Sequence, residues 1–158
     1  MTIAIRPAVD TDVAAMAAVR ARVWETEEFW QVRIGRYLTG EHSPQQALAP
    51  RAVFVAVAEG EIVGFVAGHR TRRYGCEGEL QWIDVAQAHR RHGIAGRMLG
   101  AMAAWFVEQG ALRVCVNVAA KNAAAHGLYA KFGARPLNEH WLVWQDIRAA
   151  ATKAEESH

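Results

Sequence analysis

Arg90, Arg91, His92 and Arg97 crowd around Gly93, Ala95 and Gly96 in the run Val85–Leu99. Cationic and hydrogen-bonding side chains set among small residues are the makings of an anion cradle. The side chains supply charge-assisted donors, and small residues keep the backbone open to an approaching oxyanion. The order of elements reinforces this. Leu80 to Val85 reads as a strand, a short basic loop follows, and an apolar-periodic helix begins near Ile94. The first amides of a helix lack internal partners and its dipole favours negative charge there, so the expected ligand is phosphorylated.

A second group of residues lies downstream. Arg113–Val118 reads as a strand, and Ala123–Phe132 as a helix stopped by Gly133. Asn122 and Tyr129 are seven residues apart, which is about two turns or roughly 10.5 Å, so they share one helix face. A packing account is also open, with Asn122 as a helix N-cap and Tyr129 as a core aromatic.

Two familiar phosphate loops are absent. No Gly-x-x-x-x-Gly-Lys-Ser/Thr run occurs, and the mid-chain loop lacks the Gly-x-Gly-x-x-Gly spacing of a dinucleotide fold. Arg90-x-x-Gly93-x-Ala95 resembles instead the acetyl-CoA loop of the GNAT N-acetyltransferases, Gln/Arg-x-x-Gly-x-Gly/Ala. Asn122-x-x-Ala125-x-x-Leu128-Tyr129-x-Lys131-Phe132-Gly133 resembles the second block of the same family. The resemblance extends, through the order of elements, over nearly the whole chain. It implies acetyl-CoA as cosubstrate. Arg90, Arg91, His92, Gly93, Ile94, Ala95, Gly96 and Arg97 would hold the pyrophosphate. Main-chain groups near Ile83 and Val85 would pair with pantetheine between splayed fourth and fifth strands. Asn122 would contact the pantetheine arm, and Tyr129 would stand near the sulfur.

The chemistry that follows is attack of an amine on the thioester carbonyl, a tetrahedral oxyanion and departure of the CoA thiolate. An alkyl ammonium with pKa about 10.4 costs about 4.6 kcal/mol to deprotonate at pH 7, so a base assists. By resemblance Tyr129 is the acid that protonates the leaving thiolate. Glu79, six residues before Val85, stands where some protein-acetylating members carry a catalytic glutamate; a solvated strand-end carboxylate is the alternative. Period-two alternation places Glu79, Gln81, Ile83 and Val85 on one face unless a bulge intervenes. Asp84, Glu77 and the histidines are weaker candidates for the base. Certain N-terminal acetyltransferases place a glutamate five residues before the motif asparagine; here that residue is Asn117, so their substrate is not carried over.

In this family the segment between the first two helices lines the acceptor side. Here it is Trp24-Glu25-Thr26-Glu27-Glu28-Phe29-Trp30. Trp24, Glu27, Glu28 and Trp30 could receive a cationic amine by charge and cation–π contact. Equally, the glutamates favour a helix N-terminus and the aromatics pack inward. The expected activity is acetyl transfer to a primary amine of a small molecule or peptide. The alternative is a noncatalytic acyl-CoA-binding module that acts as a sensor or partner domain.

Composition agrees with a cytoplasmic protein that has no nucleic-acid or membrane partner. The 158 residues suffice for one domain, expected over 1–148, with 149–158 a frayed tail. Residues are 52% hydrophobic and 22% charged, and the net charge is only +2. No long basic block and no membrane-length apolar run occurs. Cys76 and Cys115 read as buried or incidental thiols, and His89 and His92 lack the companions of a metal site. Trp141 and Trp144 point to different faces of the last strand, one of them a candidate homodimer contact. The expected fold is α/β in layers, a mixed sheet of six to seven strands flanked by about four helices. Its strands include Ile3–Ala8, Ala52–Ala58, Ile62–His69, Ala134–Leu137 and Trp141–Ile147. Its helices include Val13–Trp24 and Phe29–Leu38, with a long loop up to Pro50.

Overall fold

Apolar residues on both faces of the strands demand cover on both sides, and the computed structural model, which describes residues 2–22 and 25–156, supplies it. The strands are β1 (Ile3–Pro7), β2 (Ala47–Ala58), β3 (Glu61–Thr71), β4 (Gly78–Val85), β5 (Val114–Asn117), β6 (Arg135–Pro136) and β7 (Trp141–Trp144). They form one seven-stranded sheet in the order β1-β2-β3-β4-β5-β7-β6. β4 and β5 run parallel and the other neighbours antiparallel. On one face, α1 (Val13–Ala21) and α2 (Glu27–Thr39) bury Met16, Ile34 and Tyr37 against Val55, Phe65 and Trp82. On the other, α3 (Ile94–Glu108) packs Met98, Met102 and Phe106 with Val66, Leu80 and Val114. That core also takes Tyr129 and Phe132 at α4 (Ala123–Lys131) and Ala150 and Ala154 of α5 (Arg148–Glu156).

β4 positions the site. It pairs with β5 only where Gly78, Glu79 and Leu80 face Val114, Cys115 and Val116. Residues 81–85 continue along β3 with no β5 partner, so the sheet opens into a gap. A bulge at Gln81 lets Ala67 face Trp82 and Gly68 face Leu80. One inserted residue flips the side chains beyond it. Leu80, Ile83 and Val85 therefore lie with the α3 core, and Trp82 with the α1–α2 core. Glu79 joins Trp82 and Asp84 on the α1–α2 side, so the single face expected for Glu79, Ile83 and Val85 is corrected.

Several boundaries differ from the sequence reading. α2 begins at Glu27 because the Thr26 hydroxyl accepts from the Phe29 N–H at 3.1 Å and glutamates fill the first turn. β2 begins at Ala47, within the expected loop, because Ala47 and Leu48 pair with Thr71 and Arg70. α1 ends at Ala21; Val23 and Trp24 lie outside the described residues. Cys76 and Cys115, distant in sequence, are free buried thiols in one cluster with Val143.

The expected frayed tail is also corrected, because residues 148–156 form α5, a fifth α-helix. The Asp146 carboxylate accepts from the Arg148 N–H at 3.0 Å, and Ala150 and Ala154 are buried. The segment has no broad apolar stripe. It docks through small residues at i and i+4, and a Cβ added at Gly100 would collide with the Ala154 Cβ. Gly100→Leu is expected to destabilise the fold by about 1–3 kcal/mol through overpacking. Urea unfolding would measure the loss, and faster amide exchange across 148–156 than across β3 would locate it.

Candidate active site

The basic loop forms an open helix N-terminus. Gly93 precedes α3 with φ 75°, and Arg91 has φ 69°. This left-handed geometry suits glycine, and at Gly93 a Cβ would meet nothing within 4 Å. Thr26 and Asn122 cap α2 and α4 with side-chain oxygens, whereas no side chain caps α3. Its first amides, at Ile94, Ala95 and Gly96, are thus free for an anion, and the first intrahelical bond runs from Arg97 N–H to the Gly93 carbonyl at 3.1 Å. Arg90, Arg91 and His92 are exposed around this end.

Four loop residues have other tasks as well. The Ile94 side chain is buried in the core. A Cβ at Gly96 would stand 2.8 Å from Phe132 Cζ, so its smallness admits α4 rather than a ligand. Arg97 Nη1 donates to the Ile3 carbonyl at 2.8 Å, and Arg90 Nε donates to the Val85 carbonyl at 3.1 Å.

Main-chain groups of β4 face the gap in alternation. The Ala86 N–H bonds to the Val63 carbonyl of β3 at 2.7 Å. Residues 84 and 82 share that direction, so the N–H and C=O groups of Ile83 and Val85 point to the unpaired edge. An extended polar chain entering the gap meets these groups as it would a neighbouring strand.

α4 brings up the second block. The Asn122 side chain accepts from the Ala125 N–H at 3.0 Å, the capping role left open by the sequence. His126 Nε2 lies 3.2 Å from the Ala119 carbonyl, in the loop that precedes α4. Tyr129 is buried, its ring edge-on to Trp144 at 5.6 Å between centroids. Burial pushes its hydroxyl well above the ordinary phenol range; the Asp84 charge adds to this and Arg20 opposes it. A phenol so placed holds its proton at neutral pH, the form from which it can protonate a leaving thiolate.

β4 carries two carboxylates in unlike settings. Glu79 is buried where β4 and β5 still pair. Its Oε1 accepts from Arg73 Nε at 3.0 Å and Thr71 Oγ1 at 3.2 Å. His69 Nε2 lies 3.8 Å away, and His69 Nδ1 is 2.9 Å from the Tyr37 hydroxyl. Burial alone would raise the Glu79 carboxyl, but the nearby His69 ring and the hydrogen bond and charge of Arg73 together hold it below the ordinary carboxylate range. Asp84 lies in the unpaired half, where Arg20 Nη1 of α1 sits 3.1 and 3.0 Å from its two oxygens. Burial raises its carboxyl above the ordinary range despite Arg20 and Arg90. The Arg20 guanidinium lies 4.9 Å over the Trp30 ring, which meets Trp82 edge-on at 5.8 Å.

In the segment expected to line the acceptor, Glu27 and Glu28 are exposed in the first turn of α2 and Trp30 is buried against Trp82. The Arg20–Asp84 pair was missed as a unit by sequence reasoning. Its signals were a lone carboxylate in the apolar run Leu80–Val85 and an arginine on the inward stripe of α1.

Comparison with known proteins bears on this geometry. Residues 16–134 match the model of the Acetyltransferase (GNAT) family. The chain is 36% identical over 63 residues to the uncharacterized N-acetyltransferase YobR of Bacillus subtilis, a match covering 40% of this chain and 26% of that protein. It thus spans about a quarter of the length of that curated relative. A crystal structure of a GNAT-family acetyltransferase from Desulfovibrio desulfuricans superposes with a TM-score of 0.74 at 13% identity, covering 92% of this chain and 99% of that one. AAC(6')-Iy in complex with the bisubstrate analogue CoA-S-monomethyl-acetylneamine superposes with a TM-score of 0.73 at 18% identity, covering 88% and 95%.

Proposed function

The chain belongs to the GNAT acetyltransferase family, and from that premise we propose that it transfers the acetyl group of acetyl-CoA to a primary amine of a small molecule or peptide by direct attack. The observation that carries the reading is one continuous track. The uncapped N-terminus of α3 adjoins the unpaired edge of β4, whose Ile83 and Val85 pack against the core cluster that contains Tyr129. The track suits, in order, a pyrophosphate, a pantetheine amide chain and a thioester sulfur.

Each part has a task. The free amides of α3 and the exposed Arg90, Arg91 and His92 bind pyrophosphate oxygens. Ile83 and Val85 hold the pantetheine amides through main-chain bonds, and Asn122 borders the arm. The amine attacks the carbonyl, the C–N bond forms, and the C–S bond breaks as Tyr129 gives its proton to sulfur. The base is one of the two β4 carboxylates: Glu79, at the position marked by resemblance, or Asp84. The neamine-derived acceptor of AAC(6')-Iy supports an amine as the acceptor class.

The test is thiol release from acetyl-CoA with neamine, spermidine, free amino acids and short peptides as acceptors. CoA release that depends on one of these amines, with acetyl recovered on its nitrogen by mass spectrometry, is expected. Tight CoA binding without turnover on any amine would favour a noncatalytic acyl-CoA module instead.

A further inference from the structure

We propose that Asp84, clamped by Arg20, is the carboxylate that receives the acceptor amine and takes its proton. The inference rests on the acetyl-transfer reading above and names a residue for its unassigned step. Asp84 sits between Ile83 and Val85, the two residues whose main chain faces the gap, on the α1–α2 side of the sheet. Glu79 lies on the closed side of the Gln81 bulge, opposite Cys115 in the paired part of the sheet.

The local chemistry suits the role. Arg20 approaches Asp84 with one nitrogen shared between both oxygens, and an ionised carboxylate has about four acceptor positions. Room remains for an ammonium. The Asp84 side chain keeps 13% of its surface exposed, so an amine can reach it. Trp30 stacks on Arg20 and fixes the clamp from α2. The charged or titratable groups around Asp84 are Arg20 from α1, Arg90 from the loop before α3 and Tyr129 from α4; β3 places the apolar Phe65 opposite. Asp84, on the strand that borders the gap, and Tyr129, in the core cluster against which Ile83 and Val85 pack, supply one group that can accept a proton and one that can donate it.

The proton balance closes. An entering ammonium gives one proton to Asp84, which passes it to water. The neutral nitrogen then attacks, forming C–N in a tetrahedral intermediate whose collapse breaks C–S. The surplus proton on nitrogen goes to Asp84, and the Tyr129 proton goes to sulfur. Return of the Asp84 proton to the Tyr129 oxygen resets both groups.

The test is the pH profile of kcat at saturating acetyl-CoA and saturating amine, using whichever of neamine, spermidine or a short peptide the enzyme acetylates. Wild type is expected to lose kcat in acid with a midpoint above the ordinary carboxylate range. Asp84→Asn is expected to lower kcat about 100-fold and remove that limb, and Asp84→Glu to restore part of both. Should Asp84→Asn not fold, Arg20→Gln supplies the second reading. Loss of the guanidinium is expected to move the midpoint to higher pH, which a purely structural pair would not do. An acid limb that survives in Asp84→Asn, or stays in place in Arg20→Gln, overturns the assignment while leaving acetyl transfer intact. Wild-type protein that acetylates none of these amines overturns both.

Discussion

Tyr129→Phe is expected to lower kcat by about 10²–10³-fold, with the Kd for acetyl-CoA changed less than twofold. The substitution removes one oxygen and keeps the ring that packs on Trp144, so the core and the track for the cofactor persist. What is lost acts only as the C–S bond breaks. Tyr129 is 4% exposed, and water has little access to replace its proton. The thiolate must then leave uncompensated, and the tetrahedral intermediate collapses back to substrates more often. An interaction made only in the transition state lowers kcat and kcat/KM together and leaves binding alone. Titration calorimetry with acetyl-CoA and steady-state release of CoA separate the two effects. Unchanged kcat in Tyr129→Phe would remove the hydroxyl from the mechanism.

What the sequence made legible was local. Arg90, Gly93 and Ala95 lie within six residues, and Asn122 and Tyr129 within eight, so spacing alone carries their geometry. Residues joined through the sheet were harder to read. The bulge at Gln81 has no signature of its own, yet it decides that Glu79 faces Arg73 and His69 and that Ile83 and Val85 turn to α3. The Arg20–Asp84 bond joins positions 64 residues apart. Gly96 and Gly100 illustrate a different limit. Both occur in a glycine-bearing helix that the loop motif explains, but one admits Phe132 and the other Ala154. Glycine in a sequence marks a close approach without naming what approaches. For the same reason α5 was not seen, since its docking depends on small residues meeting a small residue.

Glu79→Gln is expected to destabilise the protein by about 2–3 kcal/mol at pH 7, near the lower range for breaking a buried ion pair because Arg73 is partly exposed. The amide keeps the shape but leaves Arg73 without its counter-charge beside Thr71 and His69. The pH dependence has a definite sign. The folded carboxyl lies below the ordinary value of about 4.3, so the folded state favours the ionised form. Its contribution is complete above the unfolded value and vanishes as pH falls through the folded one. The stability gap between wild type and Glu79→Gln should therefore be full at pH 7 and pH 6 and close progressively below about pH 4. Urea unfolding at a series of pH values measures it, and a gap independent of pH would deny the carboxylate any charge-dependent part in the fold. The outcome also bears on catalysis. A carboxylate held below its ordinary range by His69 and Arg73 binds a proton weakly, so the interactions that make Glu79 a strong structural partner make it a poor proton acceptor. The Asp84 carboxyl, raised by burial, carries the opposite balance.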